Sequence, residues 1–279
     1  MSPFAAALRA EFTKTFTTRI WWILLLVMFG YLALLAGGIS FGLAGLNSAR
    51  PELAQQGGEG SVAGLPLALV APVVYSLATA VGYVFPVLLG SLAVTNEFRH
   101  KTLTPTFLAT PKRGASLAAK WGTMLVLGAL YGVVALIGTV GVGALGFAVF
   151  GLDSQLGDGD IQALLARAVL AMALWAVVGV GLGVLVPSQV GSIVLILAFT
   201  QFVEPILRLA GGFADWAGEV ARFLPGAASD SLVGASIYSV ISGSGVAALE
   251  WWQGGLVLAA YAIALAALGY AVSWRRDVT

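Results

Sequence analysis

Charged side chains are missing from five long intervals of the chain: Ile20 to Ala49, Gly60 to Asn96, Trp121 to Leu152, Ala168 to Val203 and Trp251 to Trp274. A helix crosses a hydrocarbon core of ~30 Å with roughly 20 apolar residues, so each interval is long enough to span. The fourth interval holds 36 residues and carries Pro187-Ser188-Gln189 at its middle, a turn signal that divides it in two. The pattern predicts six spans, near 20–46, 70–95, 121–149, 166–186, 189–209 and 252–274. Arg9, Lys14 and Arg19 precede the first block much as in a secretory signal, but this block runs uncharged for 30 residues. A signal's apolar region covers only ~7–15, so the block reads as a retained transmembrane helix.

Composition agrees with the pattern. Of 279 residues 59% are hydrophobic and 10% charged, and the mean hydropathy is +0.95, too little polar side chain to coat a water-soluble globule. The net charge of +1 becomes informative once the charges are placed. With six spans both termini share one side, and Lys and Arg belong on the cytoplasmic side. With the N-terminus there, the cytoplasmic segments hold ten basic and three acidic residues, +7, and the outer segments four basic and ten acidic, −6. A seventh span over the Ser/Gly-rich stretch 231–249 would move Arg275 and Arg276 outside. That stretch is therefore expected to be a re-entrant or interfacial helix on the outer face, which requires protein or a wet cavity around its backbone.

The segments between spans carry the remaining character. Phe4, Leu8, Phe12 and Phe16 repeat at four-residue steps with Glu11 and Lys14 off the stripe, the pattern of an amphipathic interfacial helix over 1–19. Trp21, Trp22, Trp121, Trp251, Trp252 and Trp274 fall at span ends, where indole rings anchor at the interface. The segment 96–120 is the one sizeable cytoplasmic loop. In it Glu97 and Lys101 stand four apart, acid first, before the breaks Thr104-Pro105 and Thr110-Pro111. It reads either as a rigid protrusion that docks in a partner's groove or as a plain positive-inside loop. The outer segment 211–250, broken at Leu224-Pro225-Gly226, reads as short helices on or in the outer leaflet, since forty residues so rich in Gly and Ala make a poor core.

Most catalytic chemistry is excluded. There is no cysteine and a single histidine, His100, which removes disulfides, thiol nucleophiles and two-imidazole metal sites. Gly141-x-Gly143-x-x-Gly146 has the dinucleotide spacing but lies inside an apolar span, and Gly157-x-Gly159-Asp160 lies in the acidic outer loop with no second Asp in any span. No Gly-Lys pair occurs, so the chain has no P-loop. Glu204 and Arg208 are the ionisable pair nearest a midplane, yet they lie late in their span and are expected to tie its outer end rather than relay protons. Gly128-x-x-x-Gly132 and Gly179-x-x-x-Gly183 are expected to serve packing within the chain.

Taken in order, the amphipathic N-terminal helix, Trp21-Trp22 at the first span, Glu97-x-Arg99-x-x-Thr102-Leu103, Thr110-Pro111-x-Arg113, Lys120, Leu224-Pro225-Gly226 and Arg275-Arg276-Asp277-Val278 form a set. Together they resemble the membrane subunit of ABC-2 type transporters, especially the short actinobacterial permeases whose N-termini read like Leu8-Arg9-Ala10-Glu11-x-x-Lys14. Lys101 departs from the family, which often has Gly there, and is expected to stiffen the helix.

The resemblance implies an all-α integral membrane fold in one transmembrane domain, 1–279, with a cytoplasmic coupling helix around 97–108 and outer re-entrant helices between spans five and six. It implies a permease without its own cofactor, docked on two ABC ATPase subunits that bind ATP and Mg, paired with a second copy or close homologue in a bacterial plasma membrane. Nucleic acid is not an implied partner. Docking would involve Glu97, Arg99, Lys101, Thr102, Pro111 and Arg113, and the substrate path Tyr83, Phe85, Phe199, Gln201 and Phe202 on spans two and five. The implied activity is ATP-driven export of an amphipathic or hydrophobic compound such as a drug, a peptide antibiotic or a lipid. The alternatives from the residues alone are a stand-alone carrier or channel, or a non-transporting membrane subunit.

Overall fold

The computed structural model describes residues 3–49, 61–62, 65–103, 106, 108, 113–210, 215–235 and 249–274. The described residues form the helices α1 (Pro3–Thr17), α2 (Ile20–Ala49), α3 (Leu67–Ala80), α4 (Val84–Arg99), α5 (Arg113–Val149), α6 (Gly159–Leu185), α7 (Gln189–Ala198), α8 (Glu204–Ala210), α9 (Asp215–Ala221), α10 (Pro225–Val233) and α11 (Trp251–Gly269). Two π-helical turns, Phe199–Val203 and Tyr270–Trp274, complete spans five and six. Among the described residues six helical runs are long and apolar enough to cross a membrane: Ile20–Leu43, Leu69–Arg99, Arg113–Val149, Gly159–Leu185, Gln189–Ala210 and Trp251–Val272. They fall on the six predicted intervals, and the chain is an all-helical, multi-span membrane protein. The extended pairing among the described residues is a two-residue antiparallel ladder, Ser61–Val62 with Leu65–Pro66, which hydropathy gave no reason to expect.

Local chemistry sets the helix ends. Asp158 caps α6 by accepting from the Asp160 N–H, and Ser188, from the turn that divides the long interval, caps α7 by accepting from Gly191 N–H at 3.2 Å. Glu250 and Gln253 form a capping box at the start of α11. Pro225 opens α10, and Gly234 closes it at φ +91°, a left-handed position that favours glycine. These caps also shift boundaries. Arg99 still belongs to α4 and α5 begins at Arg113, so the loop expected over 96–120 is shorter and Lys120 lies two turns inside a helix.

Spans two and four are the centre of the bundle. Their apolar windows are 78% and 72% buried, against 22% for spans one, five and six. The two central helices meet backbone to backbone: a Cβ on Gly179 would fall on the Val87 carbonyl, one on Gly90 on the Ala176 carbonyl, and one on Gly183 on Ser91. Gly128 and Gly132 of α5 meet α6 at Met172 and Val169 in the same way. The small-residue repeats therefore serve contacts within the chain. Buried hydroxyls are satisfied by their own helices, as when Ser76 donates to Val73 O (2.9 Å), Thr95 to Ser91 O (3.0 Å) and Thr123 to Ala119 O (3.0 Å).

The close approach gives a stability test. Gly179→Ala is expected to lower stability by about 1–3 kcal/mol, the range for overpacking a tight interior. Gly38→Ala, where the added Cβ meets nothing within 4 Å, is expected to be neutral or slightly stabilising. Thermal melting of the detergent-solubilised variants distinguishes the two.

Candidate functional site

An ion cluster lies at the α1 end of the bundle. Lys120 Nζ donates to Glu11 Oε2 at 2.5 Å and lies 3.1 Å from Glu97 Oε1; Lys14 Nζ donates to Glu11 Oε1 at 2.8 Å and to Glu97 Oε1 at 2.9 Å. Two carboxylates and two ammoniums thus alternate around a ring that joins α1 to spans two and three. Lys120, Glu11 and Glu97 are buried, and Lys14 is half-exposed. Lys120 also donates to Ala93 O (3.3 Å) and Lys14 to Thr106 Oγ1 (3.2 Å). Burial by itself would push the Glu11 carboxyl up, but the Lys120 charge and hydrogen bond, with Lys14 behind them, outweigh it and hold Glu11 below its ordinary value. Burial likewise opposes the Lys14 charge, and Glu97 and Glu11 overcome it and raise that ammonium.

The cluster adds a protein-facing polar contact to the reading of α1 as an amphipathic interfacial helix. Phe4 and Phe16 of the apolar stripe point away from the bundle, 46% and 45% exposed, while Glu11 on the other face is 5% exposed against it. Phe12 stacks on Phe16, and Phe16 meets the Trp21 ring edge-on at 4.8 Å. The polar face thus grips the protein through Glu11, Leu8 of the stripe meets α5 at Gly122, and Phe4 and Phe16 face outward, as an interfacial helix requires.

Among the expected docking residues, Glu97 points inward into the cluster. Arg99, Lys101 and Thr102 lie exposed beyond it, and Arg99 donates to Gln189 Oε1 at the start of span five (2.7 Å). Arg113 is half-buried at the start of α5, and Pro111 lies outside the described residues. Lys101 ends a helix rather than stiffening one. It sits at φ +56°, its N–H donates to Phe98 O (3.3 Å) and the next N–H, of Thr102, to Glu97 O (3.0 Å), the paired bonds of a left-handed helix stop that glycine fits best. Helix resumes at Leu103, which is buried.

Midway along the bundle two helix irregularities face each other. Span two breaks at Val81–Tyr83, between α3 and α4, because Pro86 has no N–H for Gly82 O, which instead accepts from Phe85 N–H at 3.1 Å. Span five widens into the π turn Phe199–Val203 just before Pro205, which likewise cannot donate to Gln201 O. The Tyr83 hydroxyl donates to Thr200 O (3.3 Å), joining the two. Its ring stacks on Trp175 of span four, centroids 4.4 Å apart, and the Trp175 indole donates to Ser229 Oγ of α10 (3.0 Å). Of the other expected path residues, Phe85 lies beside Tyr31, Phe199 is half-buried, Gln201 donates to its neighbour Thr200, and Phe202 is 66% exposed on the outer side of span five.

Helix α10 is a plug over this junction. Trp175 lies ten residues from the Leu185 end of the 27-residue α6, so its bond to Ser229 places α10 well within the bundle, a re-entrant position. Of the stretch 231–249, residues 236–248 lie outside the described residues. Span five holds the plug at both ends. Glu204 accepts the Gly226 and Ala227 N–H groups at the N-terminus of α10 (2.6 and 3.2 Å), and Arg208 pairs with Asp230 (2.5 Å). Glu204 and Arg208 thus tie the outer end of their span, with α10 as the element tied.

The sequence reading quoted Lys120 only within the motifs that carry the resemblance, and gave Trp175, Thr200 and Ser229 no role. Pro86 and Pro205 were the available signal for the junction. Among the described residues no group of three His, Asp or Glu side chains is placed to hold a metal ion. No family model and no curated protein matches the chain.

Three outcomes follow from this geometry. Lys120→Met leaves two buried carboxylates with one half-exposed ammonium and is expected to destabilise by about 3–5 kcal/mol, read as a drop in melting temperature. The pH response has two edges. Glu11, lowered from 4.5, contributes fully above that pH and loses its contribution as pH falls through the lowered value; Lys14, raised from 10.5, contributes fully below that pH and loses it as pH rises through the raised value. The contribution of Glu11 and Lys14 to the melting temperature is therefore flat between pH 4.5 and 10.5 and declines outside that window. Lys101→Gly relieves a left-handed side chain and is expected to stabilise by about 1 kcal/mol in the same melts.

Proposed function

We propose that this chain is the membrane subunit of an ATP-driven exporter of the ABC-2 type, moving an amphipathic or hydrophobic compound across a bacterial plasma membrane with both termini in the cytoplasm. The carrying observation is the junction of two irregular helices, broken span two bonded to the π turn of span five through Tyr83 and Thr200, beneath a re-entrant plug held by span five. Irregular backbone at membrane depth occurs where it is buried or lines a pathway. Here span five ties the junction to the plug, so a shift of that span alters both.

In this reading the ATPase subunits dock at the α1 end, against exposed Arg99, Lys101 and Thr102. A second copy covers the apolar outer face of span five, where Val190, Phe202 and Ile206 are 70%, 66% and 62% exposed. Tyr83, Phe85, Phe199, Gln201 and Phe202 line or border the path between copies. Nucleotide-driven closure of the ATPases selects one of two arrangements of the bundle, inward-open or outward-open.

The test is a search for a P-loop ATPase gene adjacent to this one, followed by co-reconstitution of the two proteins in liposomes. ATP-dependent movement of a fluorescent amphiphile, lost when either protein is omitted, is expected. Arg99→Glu should cut that movement and the stimulated ATP hydrolysis at least tenfold with the melting temperature kept. Equal movement without the ATPase would sink the proposal in favour of a stand-alone carrier.

A further inference from the structure

Among the described residues the α1 end of the bundle has two carboxylates, Glu11 and Glu97, and both are buried in the ring with Lys14 and Lys120. The four charges cancel, so the ring leaves no described acid at this end to face outward. The exposed charges there, Arg9, Arg19, Arg99 and Lys101, are all basic. Arg99 is engaged with Gln189, whereas the guanidinium groups of Arg9 and Arg19 meet no carboxylate or other acceptor among the described residues. Their i, i+7 spacing puts Arg9 and Phe16 on one face of α1, and Ala6, Ala10, Thr13 and Thr17 beside them are exposed too. Phe16 meets Trp21 edge-on, and Arg19 lies between those two in the turn that joins α1 to span one. Aromatic rings at a span end sit at headgroup level, so both arginines, on stems long enough to snorkel, emerge among the headgroups. The threonine hydroxyls of this face donate to their own helix, Thr13 to Arg9 O (2.9 Å) and Thr17 to Thr13 O (2.8 Å), which leaves the arginines as the donors.

We propose that this face of α1 retains anionic phospholipid, with Arg9 and Arg19 each donating to the phosphate oxygens of a headgroup. A guanidinium presents paired N–H groups in a plane that matches a phosphate bidentately. A zwitterionic lipid offers the same phosphate but brings its own cation into a surface that is already basic, so the net charge of the headgroup decides the preference. An arginine at an anionic surface contributes about fivefold, and the two contacts are separate, so their effects multiply. The site requires no ATPase and stands apart from the transport reading.

The experiment counts lipids bound to the full chain by native mass spectrometry in a neutral detergent with equimolar phosphatidylglycerol and phosphatidylcholine. Retention of phosphatidylglycerol at least tenfold over phosphatidylcholine is expected. The double variant Arg9→Gln, Arg19→Gln should cut that preference at least tenfold. Both groups are exposed and unpaired, so its melting temperature in lipid-free detergent should stay within a few degrees, and Arg9→Gln alone, at about fivefold, keeps the test open if the double variant is unstable. Lys101→Gln removes a cation from the same end but off α1 and should leave the preference within twofold. Excess glycerol phosphate, which has the headgroup without the acyl chains, should not displace the lipid. Equal retention of the two lipids, an unchanged preference in the folded double variant, an equal loss in Lys101→Gln or displacement by glycerol phosphate overturns the proposal. Capture of an ATPase subunit that is lost in the double variant, with no lipid preference in the native chain, overturns it in favour of a protein dock.

Discussion

Two backbones in direct contact hold this bundle together. Spans two and four approach so closely at Gly90, Gly179 and Gly183 that no side chain fits between them. In lipid there is little hydrophobic gain from burying one apolar helix against another, so dispersion at short range and complementary shape must hold the helices. A glycine seam maximises both. The peripheral spans then need only one face each against this pair, which is why spans one, five and six stay largely open to their surroundings.

That rigid seam makes irregular backbone tolerable elsewhere. An interrupted helix at membrane depth exposes carbonyls that lipid cannot satisfy. Here the interruption in span two is covered by Trp175 and span five, and the Thr200 carbonyl in the π turn receives the Tyr83 hydroxyl. The re-entrant α10 obeys the same rule at its N-terminus, where Glu204 takes up two of the N–H groups that a helix start leaves free. The break in span two, the π turn of span five and the start of α10 each have a polar partner supplied by a different span, so none of the three can move alone.

The spans and their division at Pro187 were legible in the sequence because the absence of charge over ~20 residues has one physical reading in a bilayer. The amphipathic character of α1 was legible too, but the ion cluster on its polar face was not. A four-residue aromatic stripe marks an amphipathic helix, but which face meets protein depends on what the neighbouring helices offer, and Lys120 was hidden as a loop residue by counting α5 from the first apolar position. Glu11, Lys14, Glu97 and Lys120 are 83 and more positions apart across their longest pairings, a separation no local pattern bridges. The junction was half legible. Tyr83, Phe199 and Gln201 were picked from the right turns of spans two and five, whereas Trp175 and Ser229 carry no signal until the fold brings α6 and α10 together.

The ion cluster and the junction are two ends of one rod. Helix α4 runs 16 residues, Val84–Arg99, about 24 Å at ~1.5 Å per residue. Glu97 is near its last turn and Tyr83 immediately precedes its first. The rod is clamped along its length by the glycine contacts to α6, so it moves with span four or not at all. A force applied at the α1 end therefore cannot be absorbed by bending α4. It must be delivered at the break beside Tyr83, where Gly82 O has exchanged its helical donor for Phe85 N–H and where the next partners are the π turn of span five and, through it, the plug.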